Sequence, residues 1–191
     1  MNIVGFFSAL IAASFFGLIP TLTKISYTLG SSAETAIISR YFLAVLIIII
    51  PLIFIKKDFF LIKKHIIKLL LISAGSICLT SGLLISVIYI PVSLVALIFY
   101  TYPLLVLIFS YFLGKRIKLI QIFGFMLAFI GLSIAIGPSF KNINLAGILL
   151  AFLAAIGAST VLIVNEFLSK NFRPIFINAF VNTICLIFFF F

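Results

Sequence analysis

"YIPVSLVALIFYTYPLLVLIFSYFLGKR", Tyr89 to Arg116, decides what kind of molecule this is. Val92 to Leu113 is apolar, matches the roughly 20 residues needed to cross a hydrocarbon core of about 30 Å, and stops at Lys115 and Arg116. The run is nevertheless interrupted: Pro91 opens it, and Pro103 sits at its middle behind Tyr100-Thr101-Tyr102. A proline inside a helix removes one backbone hydrogen bond and clashes with the carbonyl four residues back, here that of Phe99, at about 3 kcal/mol or more. Lipid offers that carbonyl no partner, so the segment belongs in a bundle whose neighbouring helices or polar interior supply one. Pro91, at the start of its helix, costs little.

Working outward, six further apolar runs flank this one: Ile3 to Thr23, Glu34 to Ile55, Ile66 to Tyr89, Leu119 to Gly137, Ala146 to Leu168 and Ile175 to Phe191. The chain is 65% hydrophobic and only 8% charged, with a mean hydropathy of +1.49, whereas soluble domains carry roughly 25% charged residues. Continuous apolar runs predict helices, which satisfy their own backbone groups in lipid, rather than the alternating strands of a barrel. The expectation is an all-α polytopic membrane protein.

The net charge of +10 would suggest nucleic acid in a soluble protein. Here the bases fall in short clusters between spans, so no nucleic-acid partner is expected and the bilayer takes that place. Lys56, Lys57, Lys63, Lys64 and Lys68 follow the second span, Lys115, Arg116 and Lys118 the fourth, and Lys170 and Arg173 the sixth. Lys24, Arg40 and Lys141 are left for the other side. The positive-inside rule then puts the N-terminus in the cytoplasm and Ile90-Pro91 outside. The N-terminus lacks a basic n-region and its apolar run exceeds a signal-peptide core, so it reads as a retained first span.

Few residues could do chemistry. Cys78 and Cys185 both lie in apolar spans, which argues against a disulfide framework or a zinc site, and no metal or cofactor is expected. His65, the one histidine, falls among the lysines and reads as a solvated loop residue. An intramembrane transferase would need clustered histidines, carboxylates or metal ligands, which one histidine and three scattered acids do not supply. The chain is therefore read as a non-enzyme.

Sliding the sixth span over the first by 142 residues aligns Gly5 with Gly147, Ala9 with Ala151, Ala12 and Ala13 with Ala154 and Ala155, and Lys24 with Glu166. A unit with an odd number of spans starts its second copy from the opposite side, giving inverted repeats, with "GPSFKNIN" as the junction. Only "PIFINAFVNTICLIFFFF" follows the sixth span, which reads as a partial chain or truncated gene.

Four stretches carry a resemblance: "SRYFLA" (Ser39 to Ala44), "IPVSLVALIFYTYPLL" (Ile90 to Leu105), "LGKRIKLIQIFGFMLAFIGL" (Leu113 to Leu132) and "GILLAFLAAIGAS" (Gly147 to Ser159). In this order they resemble the EamA-type branch of the drug/metabolite transporter superfamily. The resemblance implies an inverted-repeat helical bundle of ten helices, of which about seven are present. Residues 1–137 would form the first five-helix repeat, and residues 138–191 the junction and the first two helices of an incomplete second. Phe16-Gly17 stands where such proteins often carry tryptophan-glycine. Lys115 follows Gly114 where an acid is common, which puts a salt bridge at that end in doubt. The first-helix glutamate of small multidrug antiporters is absent, so proton-coupled multidrug efflux loses weight.

A carrier needs a midplane cavity more polar than lipid and helices that bend. Pro103, Tyr100 and Ser93 share one face of the fourth span, and Pro20 breaks the first span near Gly17, so Pro20 and Pro103 are candidate hinges. Ser76 and Thr80 recur at helical spacing on the third span, as packing hydroxyls or cavity lining. Arg40 lies about 9 Å inside the second span, deep enough to demand a partner or a snorkelling path. Facing a cavity, it would favour an anionic or carboxylate-bearing substrate. Gly124, Ala128 and Gly131 form a small-residue seam for helix packing within the bundle, with homodimerisation second. The expected function is a secondary transporter moving small polar metabolites, amino acids or related compounds, across a bacterial inner membrane by alternating access. Alternatives are uptake of S-adenosylmethionine or another nucleoside-like metabolite, which the resemblance permits, and an inactive truncated membrane fragment.

Overall fold

The computed structural model describes residues 3–53, 59–137 and 143–191. Their regular elements are all α-helices: α1 (Ile3–Thr28), α2 (Ala33–Ile53), α3 (Phe59–Tyr89), α4 (Val92–Phe99), α5 (Tyr102–Phe112), α6 (Leu119–Ile136), α7 (Leu145–Leu168) and α8 (Pro174–Phe190). Among the described residues six spans are long and apolar enough to cross a membrane, with α4 and α5 together making one of them. The apolar α8 is shorter, at 17 residues. The protein is an all-α, multi-pass membrane protein, as the apolar runs predicted. Most of the "GPSFKNIN" junction, with Lys141, and the stretch Lys56-Lys57-Asp58 lie outside the described residues.

Two expectations change. First, α3 starts seven residues earlier than the apolar run does, at Phe59, so Lys63, Lys64, His65 and Lys68 sit on a helix rather than in a loop. The leucines, isoleucines and lysines there are adequate helix formers and no glycine or proline intervenes before Gly75, so the helix need not stop where hydrocarbon does. His65 is half-buried and meets the Phe172 ring edge-on, centroids 5.7 Å apart. Second, α1 runs without interruption through Pro20 to Thr28, and α2 contains a proline, Pro51, near its end.

The centre of the molecule is the antiparallel pair α3 and α7, joined by glycines. A Cβ at Gly82 would lie 2.5 Å from the Leu150 carbonyl oxygen, and one at Gly157 2.5 Å from that of Gly75. At the end of the pair, Gly147 lies under Tyr89 and Ile90. Buried Ala151, Ala154, Ala155 and Ala158 complete the α7 face. Small residues let backbones approach closely where lipid gives no hydrophobic drive to association, and dispersion and interhelical hydrogen bonds become the adhesive. Around this pair, α8 packs on α2 and α3, α4 and α5 pack on α7, and α1 rests on α3 and α4. Large apolar side chains of α1, α2 and α6 point outward, as surfaces solvated by lipid must.

The chain ends of three spans meet at one end of the bundle. Lys115, just after α5, pairs with Glu166 near the end of α7. Lys68, Lys115 and Lys170 surround the Phe167 ring at 5.2, 5.7 and 6.0 Å from its centroid. The lysine clusters separated in sequence are thus one basic surface. Lys115 stands where an acid is common among the resembled proteins, yet it makes an ion pair, with its partner on another helix.

Candidate functional site

The fourth span is where the structure departs most from a simple helix. Tyr100 (φ −68°, ψ 5°) closes α4 and Thr101 (φ −73°, ψ −12°) opens α5. The Thr101 amide donates to the Ile98 carbonyl at 3.1 Å and the Leu104 amide to the Thr101 carbonyl at 3.0 Å, both tightened, three-residue steps. The Thr101 hydroxyl also donates to the Ile98 carbonyl at 2.7 Å. Pro103 therefore lies in the first turn of a new helix, where its missing N–H is no loss, and not in the middle of an unbroken one. The expected clash with Phe99 is replaced by a break. Beside it, Phe99 packs on Tyr100, Tyr102 and, from α1, Phe16, with centroids 5.8, 5.2 and 6.0 Å apart. Phe16 lies one turn before Pro20, so the prolines of the first and fourth spans mark a common contact.

The six candidate binding residues fall into two groups. On one side, Tyr41 of α2 directs its hydroxyl onto Thr80 Oγ1 (2.6 Å) and the Ser76 carbonyl (3.2 Å) of α3, and stacks on Phe189 of α8 at 5.7 Å. The Cys185 thiol donates to the Ser73 carbonyl at 3.7 Å. Thr80 is only 2% exposed, so its hydroxyl joins helices and lines no open space. Arg40 flanks this group, half-buried, with its guanidinium 5.9 Å from the Tyr41 ring centroid. Ser93, Tyr100 and Pro103 form the other group, on α4 and α5, all half-buried. The sequence missed Tyr41, because a tyrosine in an apolar run carries no mark of its partner.

The seam on α6 also differs from expectation. Gly124, Ala128 and Gly131 are exposed, and nothing lies within 4 Å of a Cβ built at either glycine. Among the described residues, no neighbouring helix packs against these two glycines. Among the described residues α6 meets α4 and α5, and does so sparsely.

A cleft of about 470 Å³ opens between α3, α5 and α7 at the basic end. Its walls are Leu71, Phe109, Phe112, Leu113, Ile163, Val164 and Phe167, with Lys68 and Thr160 as the polar contributors. It exists because the link Ile90-Pro91 holds α3 and α4 together at one end, while α3 scarcely touches α5 at the other and α7 forms the floor. On α7 the lining residues Thr160, Ile163, Val164 and Phe167 follow the spacing of one helical face. That periodicity cannot be seen in a helix that is apolar all round.

At the opposite end, the bundle is fastened. The carbonyl of Val87 would pair with the amide four residues on, but that residue is Pro91, which has none. Lys24 fills the place, its ammonium donating to the Val87 carbonyl at 2.6 Å, while the Tyr27 hydroxyl donates to the Leu84 carbonyl at 3.0 Å. The rule that a proline frees a carbonyl thus applies to Pro91, with a lysine from α1 as the partner. Among the described residues no three His, Cys, Asp or Glu side chains gather where a metal could bind.

Against known proteins, the family model described as the EamA-like transporter family matches residues 3–137, which include α1 to α6. Neither curated proteins nor solved structures gave a match.

Proposed function

This chain belongs to the EamA-like transporter family, and on that premise we propose that it is a secondary carrier of small metabolites, amino acids or related compounds, working by alternating access. The observation that carries this reading is the cleft between three spans, open at the basic end and fastened at the other by Lys24 and Tyr27. A carrier in one of its two end states needs that asymmetry. The arm formed by α4 and α5, carrying Ser93, Tyr100 and Pro103, moves against α7; the break at Tyr100-Thr101 absorbs the motion, with Pro20 in the continuous α1 as a second point of flexion. Arg40 guides or anchors a carboxylate at the α2 side of the bundle.

The excess of lysine at the open end supports its placement in the cytoplasm, with the N-terminus on the same side, in a bacterial inner membrane. The aromatic walls Phe109, Phe112 and Phe167 also suit a nucleoside-like substrate, whose base would stack on them. Reconstitution in vesicles tests the carrier reading, with counterflow of radiolabelled amino acids and of S-adenosylmethionine as the measurement. Saturable exchange of either is expected; exchange no faster than in empty vesicles for every metabolite tried would overturn it.

A further inference from the structure

The walls of the α3/α5/α7 cleft say more about a ligand than the polar residues singled out from the sequence do. Seven of the nine lining residues are apolar, three of them phenylalanine, and the one charge among them is Lys68. At the same end of the bundle Lys63, Lys64, Lys115, Arg116, Lys118, Lys170 and Arg173 face one described acid, Glu166, which Lys115 already occupies. Among the described residues Lys68 has no carboxylate partner. A zwitterion would bring an ammonium into this field and find nothing to receive it. A single anionic head on an apolar body fits both features, and the volume is within the range of about 300 to 1,000 Å³ usual for small-molecule sites.

We propose that the cleft binds an organic anion with an apolar body, its carboxylate held at Lys68 and its hydrocarbon or aromatic part between Phe109, Phe112, Val164 and Phe167. This rests on the carrier reading and narrows it, from amino acids and nucleoside-like compounds in general to organic acids without an ammonium, for the same cleft. The ligand is a free acid that enters from the basic side. The Thr160 hydroxyl already donates to the Ile156 carbonyl and Lys115 is tied to Glu166, so Lys68 alone carries the head.

The chain contains no tryptophan, so one introduced at the cleft is a unique reporter. Leu113→Trp lines the cleft, and Phe15→Trp, on the exposed face of α1, serves as the lipid-facing control. Both proteins are placed in phosphatidylcholine vesicles and titrated with 11-bromoundecanoate, whose bromine quenches nearby tryptophan, and with its uncharged methyl ester. For Leu113→Trp, the acid is expected to quench with a saturable component that unbrominated undecanoate competes away and the ester lacks. Phe15→Trp should show only the linear quenching of acid dissolved in the bilayer. Adding Lys68→Gln to Leu113→Trp should weaken the saturable component at least tenfold, and Lys68→Arg should restore most of it. Equal, linear quenching at both reporters would overturn the proposal. So would loss of the saturable component when part of the phosphatidylcholine is replaced by phosphatidylglycerol, because the occupant would then be bilayer lipid. Binding is read here without transport, so failure removes this ligand class and leaves the counterflow result to judge the carrier reading.

Discussion

At the residue scale the fold depends on a few atoms that are absent. Gly82 and Gly157 let α3 and α7 touch backbone to backbone, and a Cβ at either would stand 2.5 Å from a main-chain oxygen. Overpacking of this kind costs about 1–3 kcal/mol in packed cores, and more where backbone is the obstacle. Gly82→Ala and Gly157→Ala are each expected to lower the thermal midpoint in detergent by several degrees, while Gly124→Ala, facing open space, should leave it unchanged. Equal midpoints for all three would refute the close contact. Lys24 makes the opposite kind of contribution, a charged donor on a carbonyl that Pro91 leaves free. Hydrogen bonds to charged groups contribute about 1.5–3 kcal/mol, so Lys24→Met should destabilise the fold by that order and Lys24→Arg by much less, as measured by thermal unfolding. Neither pair was legible in the sequence: Gly75 and Gly82 show a packing stripe, but nothing in it names α7 as the partner.

At the element scale the fourth span determines what can move. Its sequence announced an anomaly at Pro103, and the anomaly is real, but a break between α4 and α5 takes the place of a kink. Two consecutive three-residue hydrogen-bonded steps leave the dihedral angles close to helical, so a small change in the first turn of α5 would realign the two halves. Pro103→Ala gives that turn an N–H and favours one continuous helix. Transport is expected to slow several-fold while membrane abundance and thermal midpoint hold or rise; an unchanged rate would make the break a tolerated defect. The spans themselves were visible because long apolar runs between lysines have few other interpretations. The boundaries of α1 and α3 were not, since helices extend beyond hydrocarbon wherever the local residues permit, and hydropathy marks only the lipid-facing part.

On the scale of the whole molecule, one end of the bundle is basic and open and the other is fastened. Single-cysteine labelling tests its orientation, in a background with Cys78 and Cys185 replaced. Ser169→Cys, beside the basic cluster, should react only with reagent that enters the cytoplasm, and Ser31→Cys, between α1 and α2, with reagent added outside. The reverse pattern would invert the proposed topology. What the sequence determined alone was class: an apolar, helical, multi-pass chain of a transporter family, with its lysine clusters between alternate apolar runs. Composition and run length suffice for that, because lipid forbids unsatisfied backbone and leaves few architectures. Only the tertiary structure decided which groups meet. It joined Arg40, Ser76 and Thr80 around Tyr41, left Gly124 and Gly131 bare, and gathered Phe109, Val164, Phe167 and Lys68 around one cleft. In a helix that is apolar on every side, no periodicity separates the face toward lipid from the face toward another helix, so partners are set by close contacts that sequence does not display.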